Sequence, residues 1–387
     1  MTIYRNFICA LTATLFFTST YYLLLPALPL YLTEQGLDNF SIGLIMGIFS
    51  VTSLLLRPVS GRLIDLKGRK GIMFIAIGSY LLSPLFFRLG TGSLVMGLVQ
   101  ILFGFAIGSF TTAITTYVAD IAPRHLMARF IGRHSIAIII AKGMAPALGL
   151  ALAVRYGFPL ALGLSICIAL LSVLFVHRLE EPPLSTSSNS VSTSFREIIT
   201  TKMILLPTIT LFAGLITFGA INVMLSLFAA AREIPNPELF FVIHTLTVIA
   251  TRLITGKLPG SSLSAQVIFS MLVLFLSLVL MSQVQQFWQL MAVAVIYGIG
   301  YGAIYPALSS LLILSTPDHL RGTALGIYTA GFDLGVATGA VLAGLSEFIG
   351  FSMAYLVTAL IPLLGLLLFV ALYLPAVKKT AGTDLSE

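Results

Sequence analysis

Twelve long apolar segments follow one another along the chain, and each is bounded by charged residues, Pro or Gly. A helix that crosses a bilayer needs about 20 mostly apolar residues. Because the bilayer interior offers the backbone no water, segments of this kind fold as helices. The segments lie near residues 6–31, 40–62, 71–90, 93–121, 128–154, 157–176, 204–230, 238–258, 263–282, 287–315, 322–348 and 352–375. The sequence therefore predicts an all-α membrane protein with 12 transmembrane helices.

The composition excludes several classes of protein. Of the 387 residues, 58% are hydrophobic and only 9% are charged, whereas about a quarter of the residues in soluble domains are charged. A soluble enzyme and a nucleic-acid-binding domain are therefore excluded. A secreted disulfide scaffold is excluded as well, because the two cysteines, Cys9 and Cys167, both lie inside apolar segments.

The distribution of Lys and Arg predicts the orientation. An even number of helices puts both termini on one side, and with that side in the cytoplasm 17 of the 21 Lys and Arg lie inside. Arg88, Arg155 and Arg232 lie outside, and Lys142 lies within a helix. Cytoplasmic loops carry an excess of Lys and Arg, so we expect a protein of the cell inner membrane with both termini cytoplasmic. The net charge of +7 follows from this topology, and we expect no nucleic-acid partner.

A polar segment divides the predicted helices into two groups of six. Residues 177–203 are rich in Ser and Thr and show no apolar period, which is typical of a flexible linker. We expect this linker to lie in the cytoplasm. It would join an N-terminal six-helix bundle, residues 1–176, to a C-terminal six-helix bundle with a short cytoplasmic tail, residues 204–387.

The two halves of the chain also resemble each other in sequence. At an offset of 194 residues, Gly104 and Gly108 align with Gly298 and Gly302. Two six-helix halves related by an axis along the membrane normal are a transporter design, with the solute site expected between them near the bilayer midplane. The chain contains no nucleotide-binding loop. An ion or solute gradient, or no energy source at all, would therefore drive transport.

Two segments carry a family resemblance. The segment from Gly61 to Lys70, GRLIDLKGRK, resembles the signature loop between helices 2 and 3 of the major facilitator superfamily. The segment from Tyr297 to Gly339 is similar to helices 10 and 11 of its drug-exporter-like members. The chain thus resembles the drug/proton antiporter branch. The resemblance implies two pseudo-symmetric six-helix bundles, alternating access, a monomer in the bilayer, and a proton gradient as the energy source, with no cofactor or metal.

The resemblance gives the signature loop a gating role. In the family the matching Asp latches the inner ends of the two halves, together with an Arg of the loop and an acid at the inner end of helix 4. A carboxylate can do so by capping a helix N-terminus, while Gly permits close packing and a tight turn. The alternative is a charged loop that only sets orientation. The corresponding residues are Gly61, Asp65, Gly68, Arg69, Lys70 and Asp120.

Helix 5 carries a further resemblance. The segment from Ala141 to Gly149, AKGMAPALG, resembles a motif of antiporter members. Its residues Gly143, Pro146 and Gly149 would let helices 5 and 8 pack closely. Ala141 and Ala145 stand where the family usually has Gly. The motif favours export, and the alternative is a plain helix-packing motif.

Two ionisable residues are predicted deep within the membrane. Lys142 lies 13 residues beyond Arg129 and Asp333 lies 12 beyond Arg321, which places both about 18–20 Å from the inner face. A charge at that depth usually faces a cavity or a partner. We expect Lys142 and Asp333 to line one cavity, with Asp333 as the proton carrier, and the alternative is a static pair. His244 on helix 8 is either a structural residue or part of a proton relay.

Helix 10 presents a regular series of aromatic residues. Tyr297, Tyr301 and Tyr305 recur every four residues, and in the family this helix borders the central cavity. Aromatic faces with a hydroxyl group suit amphipathic organic solutes, and the alternative is core packing. Three further polar residues of the spans complete the predicted substrate cavity: Tyr22, Gln100 and Asn222.

These observations predict a secondary active transporter. We expect a proton-coupled exporter of an amphipathic organic compound, either drug-like or a metabolite, whose partners are that solute, protons and the lipid bilayer. The alternative is an importer or facilitator of a small metabolite on the same fold. An enzyme is not expected, because none of the five His belongs to an HExxH motif. A channel agrees poorly with the repeat and the signature loop.

Overall fold

The structure is a computed structural model that describes residues 2–87, 89–90, 92–123, 126–181, 202–257, 259, 262–316 and 320–375, without the side chains of Thr2, Asp65, Ala128 and Gly322. All regular structure in these residues is helical. Helix α1 consists of two segments, Thr2–Leu24 and Ala27–Glu34. The other helices are α2 (Asn39–Lys67), α3 (Arg69–Phe87), α4 (Ser93–Ile121), α5 (Met127–Tyr156), α6 (Phe158–His177), α7 (Lys202–Ala231), α8 (Leu239–Thr255), α9 (Leu263–Gln283), α10 (Phe287–Leu314), α11 (Arg321–Ala343) and α12 (Ser346–Leu368).

The length of these helices fits a bilayer. Eleven candidate spans occur in the described residues, and the two segments of α1 form one of them, Ile3–Glu34. Helix α8 is also apolar, but with 17 residues it is shorter than these eleven spans. At about 1.5 Å per residue it covers roughly 26 Å, slightly less than the hydrocarbon core. The predicted all-α fold with 12 transmembrane helices is confirmed.

The start of α2 has a local chemical cause. Asp38 caps α2 by accepting hydrogen bonds of 2.8 Å from both the backbone N–H and the hydroxyl of Ser41. The predicted end of helix 11 at residue 348 is wrong, because α11 ends at Ala343. The backbone then breaks again within α12 at Gly350, where φ is 74°. Apolar residues flank both breaks, so hydropathy alone does not separate them.

The described chain forms two compact units. Unit 1 contains α1–α6 together with Leu225–Ala230 and Asn236–Val242, and unit 2 contains the remaining described residues of the second half. Most of the predicted linker, residues 182–201, lies outside the described residues. The predicted domain boundaries at residues 176 and 204 therefore stay a prediction.

The sequence repeat corresponds to the same helix packing within each unit. In unit 1, α4 lies so close to α2 that a Cβ on Gly104 would stand 2.5 Å from the carbonyl oxygen of Phe49. In unit 2, α10 lies so close to α8 that a Cβ on Gly298 would stand 2.7 Å from the Cβ of Thr247. The two Gly are 194 residues apart. Each half thus uses a Gly at the equivalent helix crossing, because only Gly fits between the two backbones.

Candidate functional site

An ion pair joins two helices at the predicted cytoplasmic end of unit 1. Arg69 is the first residue of α3, and its Nε lies 2.8 Å from Oδ2 of Asp120 in the last turn of α4. The Arg69 side chain is only 6% exposed, so the pair is shielded on one side. The side chain of Asp65 lies outside the described residues. The structure therefore brings together two of the three charges predicted to form the latch.

The carboxylate of Glu181 caps α3. Its two oxygens accept hydrogen bonds from the backbone N–H groups of Arg69, at 2.6 Å, and Lys70, at 2.9 Å. These N–H groups have no partner within the helix, and the helix dipole favours a negative charge beside them. Gly68 precedes the helix with a φ of 80°, and a Cβ there would lie 2.7 Å from Oε1 of Glu181. The tight turn predicted at Gly68 therefore requires Gly for two reasons, its backbone conformation and the position of the Glu181 carboxylate.

Residues 177–181, which we call the strap, run beneath the predicted cytoplasmic end of unit 1. The ammonium of Lys70 donates hydrogen bonds to the carbonyl oxygens of His177, at 2.6 Å, and Leu179, at 2.9 Å. The hydroxyl of Tyr117 on α4 donates to the carbonyl oxygen of Glu180 at 2.9 Å. The side chain of Glu180 forms an ion pair with Arg5 of α1. The strap therefore ties α1, α3 and α4 to the end of α6.

Sequence analysis missed the strap because its residues fall in the polar segment assigned to the linker. The available signal was the pair Glu180–Glu181 directly after helix 6, on the same predicted side as the basic signature loop.

The structure shows no close packing at Gly61, where the sequence predicted it. A Cβ there would meet no described atom within 4 Å, so close packing does not account for Gly at this position in the structure.

The predicted packing motif of α5 lies against α1 within unit 1. A Cβ on Gly149 would collide with the carbonyl oxygen of Leu23, where the first segment of α1 ends. Pro146 is buried inside α5, which continues without interruption from Met127 to Tyr156. The structure therefore explains why residue 149 of this motif has no side chain.

Lys142 lies midway along α5 and contacts an aromatic ring. It is 15 residues from Met127 and 14 from Tyr156, which is about 21–22 Å from each helix end. Its Nζ lies 5.1 Å from the centre of the Tyr22 ring, within the range of a cation–π interaction. Tyr22 itself is 7% exposed. Two residues predicted on separate grounds, Lys142 and Tyr22, thus contact each other.

Tyr22 belongs to a buried aromatic cluster in unit 1, which we call the N-terminal cluster. Its neighbour Tyr21 lies edge-on to Tyr22 at 5.7 Å, stacks on Phe49 at 3.6 Å and meets Phe103 at 5.6 Å between ring centres. Gln100, one turn before Phe103 on α4, is fully buried. Gln100 donates to the thioether sulfur of Met46 at 3.0 Å, a weak acceptor.

A second cluster, the C-terminal cluster, lies in unit 2. The ring of His244 on α8 stacks on Tyr297 at 5.2 Å and lies 5.3 Å from Tyr301, both on α10. Phe218 of α7 stacks on Tyr301 at 5.0 Å. Asn222, one turn further along α7, is 2% exposed and donates to the carbonyl oxygen of Phe218 at 2.8 Å. Three predicted cavity or coupling residues, His244, Tyr297 and Tyr301, are thus brought together.

Tyr305 does not join this cluster. Its ring contacts Tyr328 at 5.3 Å and Phe332 at 6.1 Å, both on α11. Asp333, next to Phe332, is half-buried near the middle of α11. Lys142 belongs to unit 1 and Asp333 to unit 2, so their expected pairing stays a prediction.

An ion pair near the predicted outer ends was not foreseen. Nη2 of Arg155, at the end of α5, lies 3.1 Å from Oε1 of Glu238, which precedes α8 and belongs to unit 1. The Arg155 side chain is 58% exposed, whereas that of Glu238 is 7% exposed. A buried carboxylate of this kind depends on its cation. No group of three or more His, Cys, Asp or Glu that could hold a metal occurs in the described residues.

Two six-helix repeats, each with polar groups among buried aromatic rings, are the architecture of a secondary transporter. The family model of the Major Facilitator Superfamily matches residues 10–264 and 238–387, and the chain belongs to this superfamily. It is therefore a multi-pass membrane transporter. The prediction that it is not an enzyme is confirmed.

Similar proteins include an export protein and a drug-resistance protein. The staphylopine export protein of Staphylococcus aureus is 25% identical over 381 residues, which cover 95% of this chain and 94% of that protein. The quinolone resistance protein NorA of the same species is 24% identical over 332 residues, covering 83% and 84%. Among solved structures, the nucleoside transporter NupG has a TM-score of 0.79 at 14% identity, over 95% of this chain and 99% of that chain. This last likeness shows the fold alone.

Proposed function

We propose that the protein is a proton-coupled exporter of an amphipathic organic compound in the cell inner membrane, with both termini in the cytoplasm. The observation that carries this proposal is the contact of Lys142 with Tyr22 at mid-span of unit 1. A charged group beside buried aromatic rings suits a solute with both polar and apolar parts. Export is supported by the similarity to the staphylopine export protein, and a drug-like solute by the similarity to the quinolone resistance protein NorA.

Asp333 is the proposed proton carrier. It lies 12 residues from Arg321 and 10 from Ala343, which is about 18 and 15 Å from the two ends of α11. Among the carboxylates whose side chains the structure describes, the others lie at helix ends or in connecting segments. A carboxylate at mid-span can bind and release a proton near neutral pH when its surroundings change.

The proposed inner latch is the ion pair of Arg69 and Asp120 together with the Glu181 cap. These contacts hold the start of α3 against α4 and the strap. These contacts, at the start of α3, support the role that the family resemblance gives to Asp65. Loosening the loop should then alter how often the inner side opens, without altering the solute site itself.

Two measurements test the proposed function. An untargeted comparison of metabolites inside and outside cells, with and without the gene, should show a compound that accumulates inside when the gene is absent. That compound should then enter inverted membrane vesicles with an acidic interior. Uptake that ignores the pH gradient, or that runs only in the opposite direction, would contradict proton-coupled export and favour a facilitator or importer.

The coupling role of Asp333 is tested in the same vesicles. Asp333→Asn should abolish uptake driven by the pH gradient but leave exchange of labelled solute across the membrane. Glu347→Gln is the matched control, because Glu347 is exposed at the start of α12 and loses the same charge. Full gradient-driven uptake by Asp333→Asn would assign proton coupling to another group.

A further inference from the structure

The start of α5 carries two exposed arginines on one face. Arg129 and Arg133 are four residues apart, and residues at this spacing are neighbours on a helix surface. We call them the arginine pair. Two like charges in this arrangement repel each other and destabilise the helix. An anion bound between them would therefore stabilise this part of the protein.

The described carboxylates at the predicted cytoplasmic end of unit 1 do not supply this anion. Asp120 forms an ion pair with Arg69. Glu180 forms one with Arg5, and Glu181 caps α3. Within the part of the chain that the structure describes, neither member of the arginine pair forms an ion pair or a hydrogen bond. The pair therefore adds uncompensated positive charge to the surface of unit 1.

The face of α5 that carries the arginine pair continues as an apolar surface. Ile136 and Ile140 follow along the same helix and are 55% and 38% exposed. Since each residue turns a helix by about 100°, the two arginines and the two isoleucines fall within an arc of about 60°. The face thus presents two cations and then two exposed apolar side chains along one line.

Another side of α5 packs against α1. Phe130 and His134 are 2% and 1% exposed. The ring centre of Phe130 lies 4.3 Å from that of Phe7. Nε2 of His134 lies 2.9 Å from the hydroxyl oxygen of Thr14. These two buried side chains lie about 110° around the helix from the arginines and isoleucines, so contact with α1 leaves the charged face uncovered.

The order of groups along this face matches a phospholipid in a bilayer. The candidate span of α5 begins at Arg129, so Arg133 lies about 6 Å and Ile140 about 16 Å further along the helix. Long Arg side chains near the end of a span extend to the membrane surface. Both guanidinium groups therefore reach the headgroup region, while the isoleucines lie at the depth of the acyl chains.

We infer that Arg129 and Arg133 bind the phosphate of an anionic phospholipid, whose acyl chain lies against Ile136 and Ile140. The planar guanidinium groups hold the phosphate by charge-assisted hydrogen bonds. A zwitterionic lipid fits less well, because its own cation approaches the arginine pair. The inference goes beyond the proposed function, since lipid binding at this face depends neither on the direction of transport nor on its energy source.

Native mass spectrometry of the purified full-length protein tests this site, because it counts the lipids bound to each molecule. The probes are dioleoyl phosphatidylglycerol, dioleoyl phosphatidylcholine and glycerol 3-phosphate, which has the phosphate but no acyl chains. The first phosphatidylglycerol should bind about tenfold more tightly than phosphatidylcholine, as expected for one charge-assisted contact, and glycerol 3-phosphate should bind most weakly. Equal affinities for the two lipids would overturn the inference. Glycerol 3-phosphate that binds as tightly as phosphatidylglycerol would assign the arginine pair to a soluble anion instead.

Variants locate the lipid. The double variant Arg129→Gln with Arg133→Gln should lose the preference for phosphatidylglycerol. Arg62→Gln is the matched control and should retain it, because Arg62 is exposed near the end of α2 but has no Lys or Arg three or four residues away. Should the double variant fail to fold, each single variant should reduce the preference by about threefold. A preference that persists in every folded variant of the arginine pair, or that falls equally in Arg62→Gln, would overturn the assignment.

The acyl-chain contact is tested separately. The double variant Ile136→Ala with Ile140→Ala should bind both lipids about threefold more weakly, because it removes apolar surface that the chain covers. Its preference for phosphatidylglycerol over phosphatidylcholine should stay the same, since the arginine pair is intact. Unchanged affinity for both lipids would overturn the placement of the acyl chain on α5.

Discussion

A Cβ on Gly68 would lie 2.7 Å from Oε1 of Glu181, so the turn between α2 and α3 leaves no room for a side chain beside the strap. The backbone of Gly68 also adopts a φ of 80°, where residues other than Gly are strained. One residue thus meets a steric and a conformational requirement at the same point. The strap and the signature loop therefore pack directly against each other at Gly68.

Gly68→Ala should lower the free energy of unfolding by roughly 1–3 kcal/mol, because the Ala is strained at positive φ and displaces the Glu181 carboxylate. The measurement is thermal unfolding of the protein in detergent. Gly78→Ala, within α3, is the control, since a Cβ there meets nothing within 4 Å. Equal stability of the Gly68 and Gly78 variants would contradict the tight contact with the strap.

Glu181→Ala should destabilise the protein by about 0.5–2 kcal/mol, the typical value of a helix N-terminal cap. It should also raise the rate of solute leakage, because the start of α3 is no longer held. Glu180→Ala, at the preceding residue, is the matched control for Glu181→Ala. Its ion pair with Arg5 is 60% and 56% exposed, and exposed pairs contribute about 0–1 kcal/mol. A larger effect at Glu180 than at Glu181 would refute the cap as the important contact.

The sequence could predict helices and their repeat but not the strap, and the reason is physical. Hydropathy reports whether a segment can cross a bilayer, and a spacing of 194 residues between Gly104 and Gly298 reports a repeated helix crossing. Neither pattern reports where a polar segment folds back. The position of Glu181 depends on N–H groups of α3 that are 111 and 112 residues away in the chain.

The aromatic series of α10 shows a related limit. A spacing of four residues advances about 40° beyond a full helical turn, so Tyr305 is rotated by about 80° from Tyr297. Tyr297 therefore meets His244, at 5.2 Å, while Tyr305 meets Tyr328, at 5.3 Å. The spacing of four residues predicted that all three rings line one cavity, and it could not show that Tyr297 and Tyr305 meet different helices.

Arg155→Met should destabilise the protein by about 1–3 kcal/mol, because it leaves the carboxylate of Glu238 buried without its cation. The double variant Arg155→Met with Glu238→Gln should recover most of the loss, since the uncompensated charge is then removed. The four proteins of this cycle are compared by thermal unfolding. Additive effects of the two substitutions would show that the 3.1 Å contact contributes nothing to stability.

The stability of the protein should depend on Asp38 in a pH-dependent way. The hydrogen bond from the backbone N–H of Ser41 lowers the pKa of the Asp38 carboxyl. A lowered pKa stabilises the folded protein above the ordinary pKa of Asp, and this contribution is lost as the pH falls through the lowered value. The stability advantage of the wild type over Asp38→Ala should therefore shrink as the pH falls from about 6 to about 3.

Asp38→Asn serves as the control for this pH dependence, because Asn also caps helices but carries no titratable group. Its difference from Asp38→Ala should stay constant over the same pH range. The melting temperatures of the three proteins are measured in one detergent at constant ionic strength. An advantage of the wild type that grows in acid would contradict a lowered pKa.

Gly149→Ala should greatly reduce the yield of folded protein. A Cβ at this position would collide with the carbonyl oxygen of Leu23, and a backbone atom cannot move aside as a side chain can, so α1 and α5 must separate. Gly163→Ala on α6 is the control, because a Cβ there meets nothing within 4 Å. Size-exclusion chromatography measures the folded fraction, and transport per folded molecule then separates packing from a role in export. A normal yield for Gly149→Ala would show that α1 and α5 do not approach this closely.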